Sequence, residues 1–297
     1  MTVVEVPARD VELLVDAHAK VGEGPVWDTL ESVLYWVDIL SNAVHRYDPA
    51  TGADQTFDVG QAVGAVALRP AGGLLLALRD GFGVLDTATG QVALRTPVEQ
   101  DTPATRMNDG KPDPAGRFWG GTMAFSAESG RGSFYRLDRD WTVTRLFGGV
   151  TISNGLDWSL DGRTMYYIDS TTQYVDAFDF DPDQGQIGNR RHLIEIPAEV
   201  GLPDGMTLDA EGFLWVVLHG SGAIHRYAED GRLDRVVRLP ASQATCCAFG
   251  GPDLTDLYIT TAAQGLPPER LAEQPHAGGL FKYRPGVPGR PPNRFGG

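Results

Sequence analysis

Short runs of apolar and aromatic residues recur along the whole chain, separated by turns rich in Asp, Gly and Pro. Examples are residues 34–37 (Leu-Tyr-Trp-Val), 165–168 (Met-Tyr-Tyr-Ile) and 214–217 (Leu-Trp-Val-Val). Runs of this length and composition favour β-strands. A second strand-like run follows each of them, as at residues 44–47, and most units continue into a third. The pattern predicts an all-β protein.

The strand-like runs are grouped into six units. Each unit opens with a similar short segment, and these segments begin at residues 23, 63, 109, 154, 204 and 245, so they are 40 to 50 residues apart. A period in the forties is typical of propeller blades, in which each repeat is one four-stranded sheet. The sequence therefore predicts a six-bladed β-propeller.

The two ends of the chain complement each other in this pattern. The last unit ends soon after its third strand, whereas residues 11–15 (Val-Glu-Leu-Leu-Val) form an extra strand-like run before the first unit. We expect this N-terminal strand to close the last blade and so remove free sheet edges. Residues 1–285 would then form a single propeller domain. Residues 286–297, rich in Pro and Gly and without apolar periodicity, are predicted to be a flexible C-terminal tail.

Composition and charge exclude several classes of partner. The net charge of −14 argues against nucleic acid, whose phosphates require clustered Lys and Arg. No basic stretch followed by an apolar run opens the chain, and no apolar run is long enough to span a bilayer, so we expect a cytoplasmic protein without membrane contact. Cys246 and Cys247 are adjacent, and small core-filling thiols are the favoured interpretation over a functional pair.

Polar side chains recur at one position of the repeated segment. Glu23, Asp109, Asn154 and Asp204 each precede Gly, and Asn108 stands beside Asp109. Because the first strand of every blade lines the channel, these residues should meet at one height around the axis. Crowded carboxylates require a cation or shifted pKa values. An all-oxygen set favours Ca²⁺, Mg²⁺ or Mn²⁺, with Zn²⁺ and Fe²⁺ left open.

An alternative interpretation is that these dipeptides are ordinary turns, since Asp-Gly and Asn-Gly are common turn sequences. Turns have no reason to share one register around an axis, so the shared position favours a metal site. Such an ion could still be purely structural.

Several segments of the sequence form a specific pattern. They read Gly-Glu-Gly-Pro-Val-Trp at 22–27, Arg-Met-Asn-Asp-Gly-Lys at 106–111, Gly-Gly-Thr-Met at 120–123, Ile-Ser-Asn-Gly-Leu at 152–156 and Pro-Asp-Gly at 203–205. Together they resemble the senescence-marker-protein/regucalcin/gluconolactonase family over nearly the whole chain. The resemblance implies a six-bladed propeller that uses one divalent metal ion to hydrolyse a sugar lactone.

The resemblance also implies roles for individual residues. Glu23, Asn154 and Asp204 match the metal ligands, and Asp204 also matches the catalytic base. Three neighbours match substrate-binding positions: Arg106 and Asn108, which would contact substrate hydroxyls, and Asp109, which would bind substrate or water. In the implied reaction the metal acts as a Lewis acid on the carbonyl, and a metal-bound water attacks it.

Relatives that act on sugar lactones can carry an acidic residue just after Gly-Thr-Met, where this chain has Ala124-Phe125-Ser126. This departure leaves the exact substrate open. Residues 125–132 could form a lid over the channel mouth or an ordinary exposed connection.

Two other functions remain open. One is a phosphotriesterase on the same metal site, and the other is a non-catalytic propeller that binds calcium or a protein partner. We expect a monomer or a weak homo-oligomer.

Overall fold

The computed structural model describes residues 2–297, and it is a six-bladed β-propeller, as the sequence predicts. The strands are β1 (Val4–Val6), β2 (Glu12–Val15), β3 (Gly22–Asp28), β4 (Val33–Asp38), β5 (Ala43–Asp48), β6 (Ala53–Asp58), β7 (Val63–Leu68), β8 (Leu74–Leu78), β9 (Gly81–Leu85), β10 (Val92–Pro97), β11 (Thr105–Pro112), β12 (Phe118–Ala124), β13 (Gly132–Leu137), β14 (Val143–Val150), β15 (Ser153–Trp158), β16 (Thr164–Asp169), β17 (Tyr174–Asp181), β18 (Gln186–Glu195), β19 (Leu202–Leu208), β20 (Leu214–His219), β21 (Ala223–Tyr227), β22 (Leu233–Arg238), β23 (Ala244–Gly250), β24 (Asp256–Thr261) and β25 (Leu280–Tyr283). Blades 1 to 6 begin at the inner strands β3, β7, β11, β15, β19 and β23, respectively.

The N-terminal strand closes the ring, which confirms the prediction. β2 pairs antiparallel with β25, with Leu13 opposite Phe281, and becomes the outer strand of blade 6. The structure adds a strand that the sequence pattern did not indicate. β1 pairs parallel with β22, with Glu5 opposite Val236, and extends blade 5 to five strands. Both strands cover a sheet edge that would otherwise stay unpaired.

The core lies between the faces of neighbouring blades. Apolar residues of β4 and β7 are fully buried, because both faces of each sheet contact another blade. Trp119 of blade 3 packs edge-to-face on Trp158 of blade 4, with ring centroids 6.3 Å apart. A short helix, α1 (Pro268–Glu273), connects β24 to β25. None of the helices within residues 2–297 has the length and apolar character needed to cross a bilayer.

Every inner strand contains an irregularity at the same level of its blade. The register between the first and second strand shifts at Glu23/Val26, Val63/Ala65, Met107/Gly110, Ser153/Leu156, Pro203/Met206 and Ala244/Cys247. A bulge of this kind redirects side chains from the regular alternation of a strand. The repeated bulge therefore gives the polar residues of the sequence motif one common direction, toward the channel.

Glycines at the bulges allow neighbouring inner strands to approach one another closely. A Cβ atom at Gly155 would lie 2.7 Å from the backbone oxygen of Asp204, and one at Gly205 would collide with the side chain of Cys246. The Gly that follows the polar residue is thus a packing requirement of the narrow channel.

Residues 286–297 cross the end of the propeller opposite the N-terminal ends of the inner strands. Phe295 is fully buried among residues of blades 2 and 3. Arg290 donates to Asp157 of blade 4 (2.9 Å), and Arg294 donates to Asp28 of blade 1 (2.7 Å). The segment also bonds to blades 5 and 6 through the backbone of residues 288 and 289. This packing differs from the predicted flexible tail, because isolated Arg and Phe side chains anchor the segment without any periodic pattern.

Candidate functional site

The inner strands bring the predicted metal ligands together on the channel axis. Glu23, Asn154 and Asp204 lie at the bulges of blades 1, 4 and 5, and all three are buried. The carboxylates of Glu23 and Asp204 influence each other electrostatically, although they belong to blades 1 and 5. Burial raises the pKa of Glu23 well above its usual range, and the charges of Asp204 and Asp109 raise it further.

Asp204 stands out because its carboxylate accepts no hydrogen bond from residues 2–297 and its oxygens are not fully enclosed, whereas Glu23 accepts one from the Gly24 amide at 2.8 Å. Burial and the neighbouring Asp109 raise the pKa of Asp204 well above its usual range. A buried carboxylate without donors is unfavourable unless it is neutralised. Its oxygens are therefore free to bind a cation or to accept a proton.

A chain of hydrogen bonds orients the amide side chains of the site. Arg106 donates to Asn108 Oδ1 at 2.5 Å, and Asn108 Nδ2 donates to Asn154 Oδ1 at 3.0 Å. Asn154 Nδ2 in turn donates to Ser170 Oγ at 2.8 Å. These bonds fix which way each amide points, so that the Asn154 oxygen faces Asn108 and the channel.

The donor set fits a divalent cation. Among residues 2–297, no three His, Cys, Asp or Glu side chains are grouped closely enough to hold an ion by themselves. Two carboxylates, from Glu23 and Asp204, would need the Asn154 amide oxygen as the third ligand. Such an all-oxygen set suits hard cations. Arg106, whose pKa burial lowers to about 10, is the cationic side chain that bonds into this group.

Asp109 occupies a different part of the channel from Arg106 and Asn108. Its carboxylate accepts a hydrogen bond from the Gly110 amide at 2.7 Å, and it borders a cavity of about 640 Å³. This cavity extends from Asp109 to the C-terminal segment, and its lining does not include the other predicted site residues. The metal ligands and the Arg106–Asn108 pair therefore lie together, and Asp109 lies on their far side.

Two residues that support the site were not predicted from the sequence. Lys111 Nζ donates to Asp157 at 3.2 Å and to the Met206 backbone at 3.0 Å, and so links blades 3, 4 and 5 below Asp109. Lys111 is the last residue of the motif at 106–111, so the motif could have identified it. Ser170, which holds the Asn154 amide, lies in a short turn after β16, and no pattern marks it.

The two cysteines are buried and free, which agrees with small core-filling thiols. Cys246 packs against Gly205, next to Asp204. Its thiol therefore fills the space that the missing side chain of Gly205 leaves between blades 5 and 6.

Comparisons with known proteins agree with this architecture. Residues 21–263 match a family model described as the SMP-30/Gluconolactonase/LRE-like region. Regucalcin from Xenopus laevis is 42% identical, and the match covers 97% of this chain and 98% of that protein.

Solved structures of related proteins have the same fold. The structure of a calcium-binding protein, regucalcin, from Agrobacterium tumefaciens superposes with a TM-score of 0.94 at 32% identity, covering 99% of both chains. A luciferin-regenerating enzyme superposes with a TM-score of 0.90 at 32% identity, covering 96% of this chain and 99% of that chain.

Proposed function

Because this chain belongs to the SMP-30/gluconolactonase/LRE-like family, we propose that it is a hydrolase that opens a small sugar lactone with the help of one divalent metal ion. The observation that supports the proposal is the buried Asp204 carboxylate, which accepts no hydrogen bond from residues 2–297 and is close enough to Glu23 for its charge to raise the pKa of Glu23.

Glu23, Asn154 and Asp204 would hold the metal. Bound there, a divalent cation would offset the carboxylate charge and withdraw electron density from the lactone carbonyl. Ca²⁺, Mg²⁺ and Mn²⁺ suit these oxygen ligands best. The regucalcin from Agrobacterium tumefaciens is described as a calcium-binding protein, which supports a cation in this family.

Arg106 and Asn108 would bind the hydroxyl-rich ring. With a pKa of about 10, the Arg106 guanidinium stays charged at neutral pH. Its Nη1 donates to the Met107 carbonyl and to Asn108 Oδ1, and its Nη2 makes no hydrogen bond within residues 2–297, so Nη2 is the donor left for a substrate oxygen. Asn108, held by Arg106 and Asn154, cannot rotate freely and would define the orientation of the ring.

Asp204 would transfer the proton. In lactone hydrolysis a water oxygen bonds to the carbonyl carbon, and the bond from that carbon to the ring oxygen breaks, leaving an open hydroxy acid. Asp204 would accept the proton of the water and return it to the departing ring oxygen. Without a metal, burial and the charge of Asp109 raise the pKa of Asp204. A bound cation would lower this pKa again and keep the carboxylate ionised, in the form that can accept a proton.

The test is hydrolysis of glucono-δ-lactone, other aldonolactones, aromatic lactones and phosphotriesters with several added metals and with a chelator. We expect the wild type to hydrolyse sugar lactones only with a metal. Asp204→Asn should lower kcat by about 10²- to 10⁴-fold, the usual contribution of a general base. Asp58→Asn, a matched change at an exposed site on β6, should leave kcat unchanged.

Each alternative function predicts a different result. Preferential turnover of phosphotriesters would favour the phosphotriesterase. Calcium binding in a titration, with hydrolysis at background for every compound, would favour the non-catalytic calcium-binding propeller. The proposal also includes a cytoplasmic location and a monomer or weak homo-oligomer.

A further inference from the structure

One aromatic residue shares a sheet face with Arg106. In the β11–β12 ladder, Arg106 lies opposite Met123. The backbone of Phe125 continues this ladder by donating to the Ala104 oxygen at 2.9 Å. Because residues two positions apart on a strand point to the same face, Phe125 points to the same side as Met123 and Arg106.

Phe125 and Arg106 form a continuous surface that changes from polar to apolar. The guanidinium carbon lies 5.9 Å from the centroid of the Phe125 ring. Arg106 is 7% exposed, whereas Phe125 is 46% exposed, so the ring lies at the outer rim and the guanidinium lies further in. A molecule that contacts Arg106 from the rim can therefore also contact the Phe125 ring.

The two strands that carry this surface are fixed in place. Glu99 accepts hydrogen bonds from Thr105 at 2.6 Å, beside Arg106, and from Thr122 at 3.0 Å, three residues before Phe125. It also accepts one from Tyr135 at 2.7 Å. The strand ends on either side of the rim are thus tied to one carboxylate, and the ring is held near Arg106 without a substrate.

We propose that Phe125 determines substrate specificity in the lactone hydrolysis proposed above, on which this inference rests. It selects hydroxylated lactones that carry an apolar group on the carbon farthest from the carbonyl, such as 6-deoxyaldonolactones. The carbonyl must lie inward, near Asp204, and ring hydroxyls must reach Arg106. The remote substituent is then the part of the substrate that meets Phe125.

The physical reason is the difference between covering Phe125 with a methyl group and covering it with a hydroxymethyl group. A methyl group on the ring removes apolar surface of both partners from water. A hydroxymethyl group in the same place loses hydrogen bonds to water, and the aromatic ring offers no replacement. A single added hydroxyl in an apolar contact typically changes kcat/KM by about 10- to 100-fold.

The experiment compares two substrates that differ by one oxygen atom, L-fucono-1,4-lactone and L-galactono-1,4-lactone. We expect wild-type kcat/KM to favour the 6-deoxy compound by about tenfold or more. Phe125→Gln should remove this preference, mainly through KM, and Phe125→Leu should retain it. Leu94→Gln, a matched change at an exposed site on β10, should not alter the ratio.

A second readout does not depend on turnover. The corresponding 1,4-anhydroalditols have the same five-membered ring and cannot be hydrolysed, and their inhibition constants should show the same preference in the wild type and lose it in Phe125→Gln. Equal kcat/KM for the two lactones in the wild type, or a preference that survives Phe125→Gln, would overturn the role of Phe125 while leaving the lactonase proposal intact. A wild type that hydrolyses neither lactone, nor any other lactone with added metal, would instead overturn the proposed function.

Discussion

Truncation of Phe295 tests how strongly the C-terminal segment is held against the propeller. Phe295 is fully buried, and its ring packs edge-to-face on Trp141 with centroids 5.1 Å apart. Replacing a buried Phe by Ala typically lowers the free energy of unfolding by about 3–5 kcal/mol. Unfolding a chain of this length carries an entropy of about 0.6 kcal/mol/K. Phe295→Ala should therefore lower Tm by about 5–8 °C.

The assay is thermal unfolding followed by circular dichroism or calorimetry, with Phe125→Ala as the matched control. Phe125 is nearly half exposed, so its truncation should change Tm by less than about 1 °C. Activity should fall more in Phe125→Ala than in Phe295→Ala, since the Phe125 ring lies beside Arg106 whereas Phe295 packs in the apolar core between blades 2 and 3. Equal Tm values for Phe295→Ala and the control would refute the anchored segment and support the flexible tail that the composition predicts.

Two further predictions concern the channel. With a chelator present, stability should fall as the pH rises from about 4 toward neutral, because the raised pKa values of Glu23 and Asp204 let the folded state hold protons that the unfolded state releases. Tm measured from pH 4 to 8 checks this prediction. The Asp204→Asn variant should show a weaker dependence of Tm on pH. Gly205→Ala should lower the free energy of unfolding by about 1–3 kcal/mol or more, because the added methyl group would overpack against Cys246. The control is Gly188→Ala, whose added methyl group meets no atom within 4 Å and should leave urea unfolding unchanged. Equal losses of stability in the two variants would contradict the packing role of Gly205.

The sequence predicted the fold well because propeller repeats are local patterns. The recurring position of Glu23, Asn154 and Asp204 required only that equivalent strands line one channel, and all three lie at the equivalent bulges of their inner strands. Contacts that obey no repeat were missed. The anchoring of Phe295 depends on pairings between the chain end and residues more than 150 positions away, and single side chains leave no periodic signal.

The Arg106–Asn108 pair was predicted from its motif, whereas its aromatic neighbour Phe125 was noticed only as a departure from that motif. Its relation to Arg106 follows from the β11–β12 register, and a linear pattern does not specify which residues of two strands stand opposite each other. The same limitation hid Ser170, whose contact with Asn154 arises from a turn between strands.

The pairing of β2 with β25 sets the order in which the protein can mature during synthesis. β2 leaves the ribosome before any blade is complete, whereas its partner β25 emerges only after the other strands of all six blades. The first blades can fold during translation while β2 still has no partner strand. Its unpaired backbone N–H and C=O groups can then pair with other chains. A nascent chain that stops before residue 280 lacks the strand that pairs with β2, so termination before this point should yield an aggregation-prone product rather than a slightly shorter propeller.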